Sequence, residues 1–221
     1  MITKALLFDV DGTLVDSNDL HVQAWVDTFE HYGHDLGFDA VRNQIGKGGD
    51  TLLPALLDRT IVEADGEAMS TMCTQIFKAD YSDRVVAFPA VRPLLERAVA
   101  DGWTIVLASS GQPEEVEASL ALIGCEDLIS GVTTTEDAET SKPAPDIFAA
   151  ALKKSGVAAS QAIVVGDTPY DVEAARKLDV RVVGLRCGGF PDDVLLAAGA
   201  AELYDDPADL LEHYATSILA T

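Results

Sequence analysis

From Pro89 onward the sequence alternates segments of helical periodicity with short apolar segments. The short apolar segments are typical of strands, and we predict strands at 103–109, 129–133, 162–166, 181–185 and 201–204. The helical segments lie at 90–101, 113–122, 145–155, 170–178, 191–198 and 207–218. Alternating β and α units of this size form a parallel sheet that is covered by helices on both faces. We therefore predict an α/β core with a Rossmann-like, doubly wound parallel sheet.

A further strand is predicted at the start of the chain, and a long insertion separates it from the others. The apolar run at 5–8 ends at Asp9, and 94 positions separate Asp9 from Trp103. A simple βαβ crossover needs only about 30 residues in all. The intervening sequence has helical patterns at 19–33, 39–45, 50–58 and 63–83, with no convincing strand. We predict an all-helical cap over 16–87, inserted into a core formed by 1–15 and 88–221.

Charge and cysteine content exclude several classes of function. The 221 residues include 37 acidic and 15 basic side chains, so the formal net charge is −22, and we expect neither a nucleic acid nor a membrane as a partner. The three cysteines are far apart and lack CxxC spacing, which argues against a disulfide framework and a zinc site. With no apolar leader near the N-terminus, we predict a cytoplasmic protein. The sequence leaves the oligomeric state open.

Two carboxylates, Asp9 and Asp11, stand at the end of the first predicted strand. Side chains two positions apart in an extended segment point to the same side, so both can face one small ligand. Two negative charges this close need a cation between them or a raised pKa on one, and a divalent metal is the simplest solution. The alternative, an ordinary Asp/Gly turn after a strand, fits these residues equally well.

Three other predicted loops at the same sheet edge carry polar groups. Ser109 and Asp167 each follow a strand, Lys142 precedes a helix, and Asp171 falls in the first turn of another helix. Each alone could be a helix cap, a turn residue or a solvated lysine. Together, a hydroxyl, an ammonium group and several carboxylates can bind a metal and a phosphoryl group.

These residues form four motifs, and the order of the motifs along the chain is typical of a known family. The chain resembles the haloacid dehalogenase-like hydrolase superfamily. Within it, the chain resembles the subgroup whose helical cap is inserted after the first motif, which includes phosphoglycolate phosphatase, sugar-phosphate phosphatases and β-phosphoglucomutase. The matching positions are Asp9, Asp11, Gly12 and Thr13 in DxDGT, Ser109 after the second strand, Lys142 and Pro143, and Gly166, Asp167 and Asp171 in GDxxxD. The likeness covers nearly the whole chain.

The resemblance implies a mechanism. Asp9 is expected to be the nucleophile that forms an aspartyl phosphate, and Asp11 the acid and base. Mg²⁺ is expected on an Asp9 oxygen, the Asp11 backbone carbonyl and Asp167.

The same resemblance implies how the phosphoryl group and the metal are supported. Ser109, the Ser110 backbone and Lys142 are expected to bind phosphoryl oxygens. Asp171 is expected either to orient water on the metal or to fix Lys142.

Two residues of the predicted cap are candidate substrate contacts. Lys47, in the glycine-flanked loop at 45–50, could reach over the site, and the alternative is a solvated loop lysine. His21 lies in a position similar to that of a histidine near the active-site mouth of β-phosphoglucomutase and several sugar-phosphate phosphatases. A histidine packed at the cap hinge is the alternative.

The predicted function is Mg²⁺-dependent hydrolysis of a small phosphorylated metabolite, either phosphoglycolate-like or a sugar phosphate. A β-phosphoglucomutase-like mutase is the enzymatic alternative, although the segment at 109–113 lacks a lysine for a second phosphate. A phospho-accepting regulatory domain is the non-enzymatic alternative. It would need only about 120 residues and no cap, so the insertion and Asp11 favour an enzyme.

Overall fold

A computed structural model describes residues 4–220, and its centre is a six-stranded parallel sheet. The strands are β1 Lys4–Phe8, β4 Trp103–Ala108, β5 Ile129–Thr133, β6 Ala162–Gly166, β7 Arg181–Leu185 and β8 Glu202–Tyr204. Their order in the sheet is β5-β4-β1-β6-β7-β8, with every neighbouring pair parallel. The predicted doubly wound α/β fold is confirmed.

Helices cover both faces of this sheet. On one face they are α5 Val91–Ala100, α6 Pro113–Ile123 and α10 Pro207–Glu212, and on the other they are α7 Asp146–Ser155, α8 Pro169–Arg176 and α9 Asp192–Ala198. Alternate residues of β1 serve the two faces, since Leu6 and Phe8 belong to one apolar core and Ala5 and Leu7 to the other. This double burial explains the continuous apolar run at 5–8.

The inserted cap is helical and has an apolar core of its own. Its helices are α1 Asn18–His31, α2 Phe38–Arg42, α3 Gly49–Leu56 and α4 Arg59–Ile76. The cap core includes Val22, Phe29, Leu52 and Met69, all fully buried or nearly so. The helical cap is thus confirmed, while the boundaries at 16 and 87 stay a prediction.

Two details of the chain differ from the sequence prediction. The segments that enter and leave the cap pair as a short antiparallel ribbon, β2 Val15–Asp16 with β3 Val86–Ala87. The sequence patterns predict no strand at either position. The last cap helix was predicted to continue to 83, but its α-helical part ends at Ile76 and a π-helical turn over Phe77–Tyr81 follows.

The predicted helix over 207–218 is too long. Helix α10 ends at Glu212, and two 3₁₀ turns follow it. The chain bends because Tyr214 and Leu219 are both buried in the main core, and the Leu219 carbonyl accepts a hydrogen bond from Trp103 Nε1 at 3.0 Å. Tertiary packing here overrides local helical periodicity.

Cysteines and hydropathy were also part of the sequence prediction. Cys73, Cys125 and Cys187 are free thiols. Among residues 4–220, no helix has the length and apolar character needed to cross a bilayer.

Candidate active site

The carboxyl ends of three adjacent strands bring the candidate residues together. Asp9 follows β1, Ser109 follows β4 and Asp167 follows β6, and these strands are neighbours at the centre of the sheet. The Asp9 backbone N–H donates to the Val165 carbonyl at 2.9 Å, so the ladder extends one residue into the site. Ligands of open α/β sheets bind at this edge.

Lys142 lies between two of the carboxylates. Its Nζ is 2.5 Å from Asp9 Oδ1 and 2.7 Å from Asp171 Oδ1, and all three side chains are buried. Burial lowers the pKa of Lys142, but the charges of Asp171 and Asp9 outweigh it and raise the pKa above its ordinary value. Lys142 is therefore a permanent cation.

The surroundings of Asp9 and Asp167 disfavour the ionised form of each carboxyl group. Burial raises the pKa of Asp9 well above its ordinary value, with Asp171 and Asp167 adding to the rise and Lys142 opposing it. Burial also raises the pKa of Asp167 to about 7, helped by the charge of Asp171. One ammonium group is thus too little positive charge for three buried carboxylates.

This cluster fits a divalent metal ion. Oxygen atoms of Asp9, Asp167 and Asp171 lie within 4.8 Å of one another, and all three residues are buried. Hard cations prefer such oxygen ligands, and a cation there would supply the missing positive charge. The Asp11 carboxylate is not part of this cluster. That the Asp11 backbone carbonyl is a metal ligand stays a prediction.

Asp167 is held by side chains from the loop after β1. Thr13 Oγ1 donates to Asp167 Oδ1 at 2.7 Å, and Asn18 Nδ2 donates to Asp167 Oδ2 at 2.8 Å. Gly12 has φ +75°, a left-handed conformation that glycine adopts without strain, and the tight turn brings Thr13 back toward the site. Both oxygens of Asp167 are therefore fixed in direction.

Asp171 is fixed by the start of helix α8. Its Oδ2 accepts hydrogen bonds from Thr168 N at 3.0 Å and Thr168 Oγ1 at 2.7 Å, as part of a capping box. Its Oδ1 is the atom that pairs with Lys142. The contacts favour the second of its two predicted roles, fixing Lys142.

Asp11 belongs to a different environment on the cap side of the site. Its Oδ1 accepts from Ser17 Oγ at 2.6 Å and lies 3.3 Å from His21 Nε2, and His21 stacks on Phe77 with ring centroids 3.8 Å apart. Burial raises the pKa of Asp11, but hydrogen bonding and charge from His21, with the Ser17 hydroxyl, bring it below its ordinary value. His21 therefore lies against Asp11 itself.

The two serines after β4 differ in their hydrogen bonding. Ser109 is fully buried, and its Oγ accepts a hydrogen bond from Gly111 N at 2.9 Å. Ser110 Oγ is a buried atom that has no hydrogen-bond partner within residues 4–220. A buried hydroxyl without a partner costs free energy unless a ligand satisfies it.

A cavity of about 810 Å³ is lined by residues of both the core and the cap. Asp9, Asp11, Lys142 and Ser110 are among the residues that line it. Lys47 also lines it, but its Nζ donates to Gln44 Oε1 at 2.6 Å and lies 4.4 Å from the centre of the Tyr170 ring. Lys47 thus lines the cavity, but its ammonium group already has partners within the protein.

Several contacts hold the cap against the core around this cavity. Arg42 of α2 donates to the Gly188 carbonyl, and Thr51 Oγ1 of α3 donates to the Lys142 carbonyl at 2.9 Å. Tyr170 on the core donates its hydroxyl hydrogen to the Asn43 carbonyl at 2.5 Å. The cap therefore touches the loops that carry the site residues.

Sequence reasoning missed the residues that support the site: Ser17, Asn18, Thr168 and Glu115. Ser17 and Asn18 follow the first motif after three intervening residues, and polar side chains at the start of a helix are typical of ordinary capping residues. Glu115 lines the cavity from the first turn of α6, where acids are common for electrostatic reasons. A local explanation was available in each case, and for Asn18 it concealed a contact with Asp167 that is distant in sequence.

Comparison with known families decides the membership of the chain. The family model for haloacid dehalogenase-like hydrolases matches residues 6–185. The chain belongs to that family. The match includes every residue of the cluster described above, from Asp9 to Asp171, and confirms the resemblance.

Three relatives have related sequences. The chain is 28% identical over 223 residues to a phosphoglycolate phosphatase of Psychrobacter arcticus, covering 96% of both proteins. It is 25% identical over 185 residues to fructose-1-phosphate phosphatase YqaB of Escherichia coli, covering 82% of this chain and 95% of the relative. It is 29% identical over 207 residues to the Arabidopsis thaliana protein SUPPRESSOR OF QUENCHING 1, covering 92% of this chain and 20% of that longer protein.

Solved structures have the same fold. A hydrolase from Pseudomonas syringae is 31% identical and aligns with a TM-score of 0.90, covering 97% of this chain and 99% of the other. A candidate β-phosphoglucomutase from Bacteroides vulgatus aligns with a TM-score of 0.87 at 23% identity, covering 97% and 88%. The second likeness concerns the fold alone.

Proposed function

We propose that this protein is a Mg²⁺-dependent phosphatase that hydrolyses a small phosphomonoester through an aspartyl phosphate on Asp9. The observation that carries the proposal is the pair of carboxylates that line the cavity. Asp9 is buried beside the Lys142 ammonium group, and Asp11 stands two residues further on with a separate set of partners. This difference supports covalent chemistry on Asp9 and proton transfer by Asp11.

In the first half of the reaction an Asp9 oxygen attacks phosphorus. The new bond joins that oxygen to phosphorus, and the bond from phosphorus to the leaving oxygen breaks. Lys142 favours the ionised form of Asp9 and attracts the equatorial phosphoryl oxygens. The unpartnered Ser110 hydroxyl and the Ser109 hydroxyl can donate to those oxygens.

Asp11 would move the proton in both halves. It would first protonate the leaving oxygen, and then take a proton from the water that hydrolyses the aspartyl phosphate. Its lowered pKa favours the carboxylate needed for the second half. A bound phosphoryl dianion raises the pKa of a neighbouring carboxylate, which favours proton uptake for the first half.

The acidic cluster supports the metal requirement. Oxygens of Asp9 and Asp167 would hold Mg²⁺, and the Asp11 backbone carbonyl is the third proposed ligand. When bound, the cation offsets negative charge as the carboxylate and phosphoryl group approach each other. Thr13 and Asn18 fix Asp167 for this role, while Asp171 fixes Lys142.

The partner is a small phosphorylated metabolite. The cavity volume of about 810 Å³ suits a small organic phosphate, and the phosphatase names of two relatives support the same class. The roles of Lys47 and His21 as substrate contacts, and the cytoplasmic location, stay predictions.

The test is phosphate release from a panel of phosphomonoesters, measured with Mg²⁺ and with a chelator. We expect release that needs Mg²⁺ and is lost by about 10³-fold or more in Asp9→Asn, which keeps the side-chain volume but is a poor nucleophile. Asp193→Asn is the matched control, because Asp193 is exposed on helix α9.

The outcomes separate the alternatives. Retained activity in Asp9→Asn would exclude Asp9 as the nucleophile. No net phosphate release, with conversion of one hexose phosphate into another, would instead identify a mutase. A stable phosphoenzyme without turnover would identify a regulatory domain.

A further inference from the structure

One carboxylate beside the reaction centre has no part in the proposed reaction. Glu115 lies in the first turn of α6, and its Oε2 accepts a hydrogen bond from Gln112 N at 3.1 Å. The other oxygen, Oε1, accepts no hydrogen bond from residues 4–220, and the side chain lines the cavity. The helix terminus therefore holds this carboxylate in place and leaves one oxygen for a ligand.

Glu115 shares a small space with Asp11. A methyl group built on Gly111 would lie 3.2 Å from Glu115 Oε2 and 3.7 Å from Asp11 Oδ2. Glycine keeps that space open, so the two carboxylates border the same part of the cavity. Asp11 Oδ2 is also the oxygen that neither Ser17 nor His21 contacts.

In the proposed reaction the leaving oxygen comes close to this space, because Asp11 borders it. Asp11 would give its proton to the leaving oxygen, so the first carbons of the leaving group come near Glu115. A second anion on those carbons would face an added negative charge in a partly buried site, where charges interact strongly. A hydroxyl or ammonium group there could instead donate a hydrogen bond to Oε1.

The rest of the cavity wall has the same character. Away from the reaction centre its charged side chains are mostly acidic, and the two lysines include Lys47, which is already engaged. The acidic ones are Asp50, Glu67, Glu114, Glu115 and Glu139, and the lysines are Lys47 and Lys78. Hydroxyls of helix α4, at Ser70, Thr71 and Thr74, add neutral polar groups. The wall suits a polyhydroxylated or aminated group and repels an anionic one.

We propose that Glu115 is a specificity-determining residue that selects phosphomonoesters with a hydroxyl or ammonium group near the ester oxygen and rejects those with a second anion there. The inference rests on the proposed phosphatase function. It assigns the substrate to phosphorylated polyols and amino alcohols, and excludes phosphoglycolate and pyrophosphate as good substrates.

Three monoesters of equal length test the inference: 2-hydroxyethyl phosphate, phosphoethanolamine and phosphoglycolate. They place a hydroxyl, an ammonium group and a carboxylate at the same distance from the ester oxygen. With Mg²⁺ at about pH 8, where carboxylates are ionised, we expect kcat/KM for the first two to exceed that for phosphoglycolate by about tenfold or more. A wild-type preference for phosphoglycolate would overturn the proposal.

Glu115→Gln tests the residue itself, because glutamine keeps an acceptor for Gln112 N and replaces the free carboxylate oxygen with an uncharged NH2 donor. We expect the tenfold preference to shrink to about threefold or less, chiefly through faster turnover of phosphoglycolate. Glu117→Gln, an exposed position on the same helix outside the cavity, is the control and should leave the ratio unchanged. An unchanged ratio in Glu115→Gln would refute the assignment.

A separate substrate distinguishes failure of this inference from failure of the proposed function. p-Nitrophenyl phosphate carries neither a second anion nor a hydrogen-bond donor near the ester oxygen. Mg²⁺-dependent hydrolysis of it, together with a preference for phosphoglycolate, would leave the phosphatase standing and reject the role of Glu115. No hydrolysis of any ester would reject both.

Discussion

Asp9 and Asp11 are two residues apart, yet they belong to opposite halves of the site. The Asp9 side chain is 6% exposed, and its partners come from the core of the protein. The Asp11 side chain is 29% exposed, and its partners Ser17 and His21 come from the start of the cap. The pKa of Asp9 is raised and that of Asp11 is lowered.

The difference shows how one short turn can supply two kinds of carboxylate. The inner half of the site consists of Asp9, Asp167, Asp171 and Lys142. It contains three buried carboxylates and one ammonium group, and this excess of negative charge is suited to a metal ion that in turn attracts a phosphoryl group. The outer half keeps one carboxylate hydrogen-bonded and open to the cavity, which is suited to proton exchange with a substrate. The core contacts therefore set the environment of Asp9, and the cap contacts set that of Asp11.

The largest expected effect comes from breaking the inner half. Lys142→Met leaves Asp9 and Asp171 without their buried cation, so we expect the free energy of unfolding to fall by about 3 kcal/mol and kcat/KM by about 10³-fold. Urea denaturation in chelator and phosphate release measure the two effects. Lys153→Met, at an exposed position on α7, is the control. Unchanged stability would show that the ion pairs do not hold the inner half together.

The outer half should respond in activity without a matching loss of stability. Asp11→Asn keeps an acceptor for Ser17 but cannot exchange a proton, so we expect kcat to fall by about 10²- to 10⁴-fold and the free energy of unfolding to change by less than about 1 kcal/mol. Mass spectrometry of acid-quenched protein should find phosphate on Asp9. A wild-type rate would remove Asp11 from the reaction.

The smallest expected effect is a change of the free energy of unfolding with pH, which arises from Asp167 in the inner half. Because the pKa of Asp167 is raised to about 7 in the folded protein, the folded state holds a proton that the unfolded state releases at lower pH. Stability in chelator should therefore fall by about 3 kcal/mol as the pH rises from about 4 to 7. Mg²⁺ should restore it at about pH 8.

Asp167→Asn provides the comparison for this measurement. The net charge of −22 also destabilises the folded state as the pH rises, and it does so in both proteins. The variant should therefore show a shallower slope and a weaker response to Mg²⁺. Equal slopes in the two proteins would show that Asp167 does not carry the effect.

Much of the fold was predictable because its patterns are local. The strands at 129–133, 162–166 and 181–185 match the structure residue for residue, since each is a short apolar run between turn signals. The strand-end position of Asp9, Ser109 and Asp167 predicted that they would meet, because parallel strands share one carboxyl edge.

The rest depended on packing that no local pattern records. The chain leaves the helical path after Glu212 because Tyr214 is buried in the core. Asn18 and Glu115 occupy positions where capping and the helix dipole already account for a polar residue, so nothing local distinguishes them. Their importance comes from contacts with Asp167 and the cavity, far away in the chain.

Arg42 joins the cap to the group of hydrogen bonds that supports Asp167. The Gly188 carbonyl accepts from Arg42 and lies 3.3 Å from Asn18 Nδ2, which in turn holds Asp167. The Gly188 carbonyl is thus shared by a cap helix and by the side chain that holds Asp167. A displacement of α2 from the core would break the Arg42 bond and leave Asn18 as the donor to that carbonyl, so the cap and the support of Asp167 are tied together at one backbone oxygen.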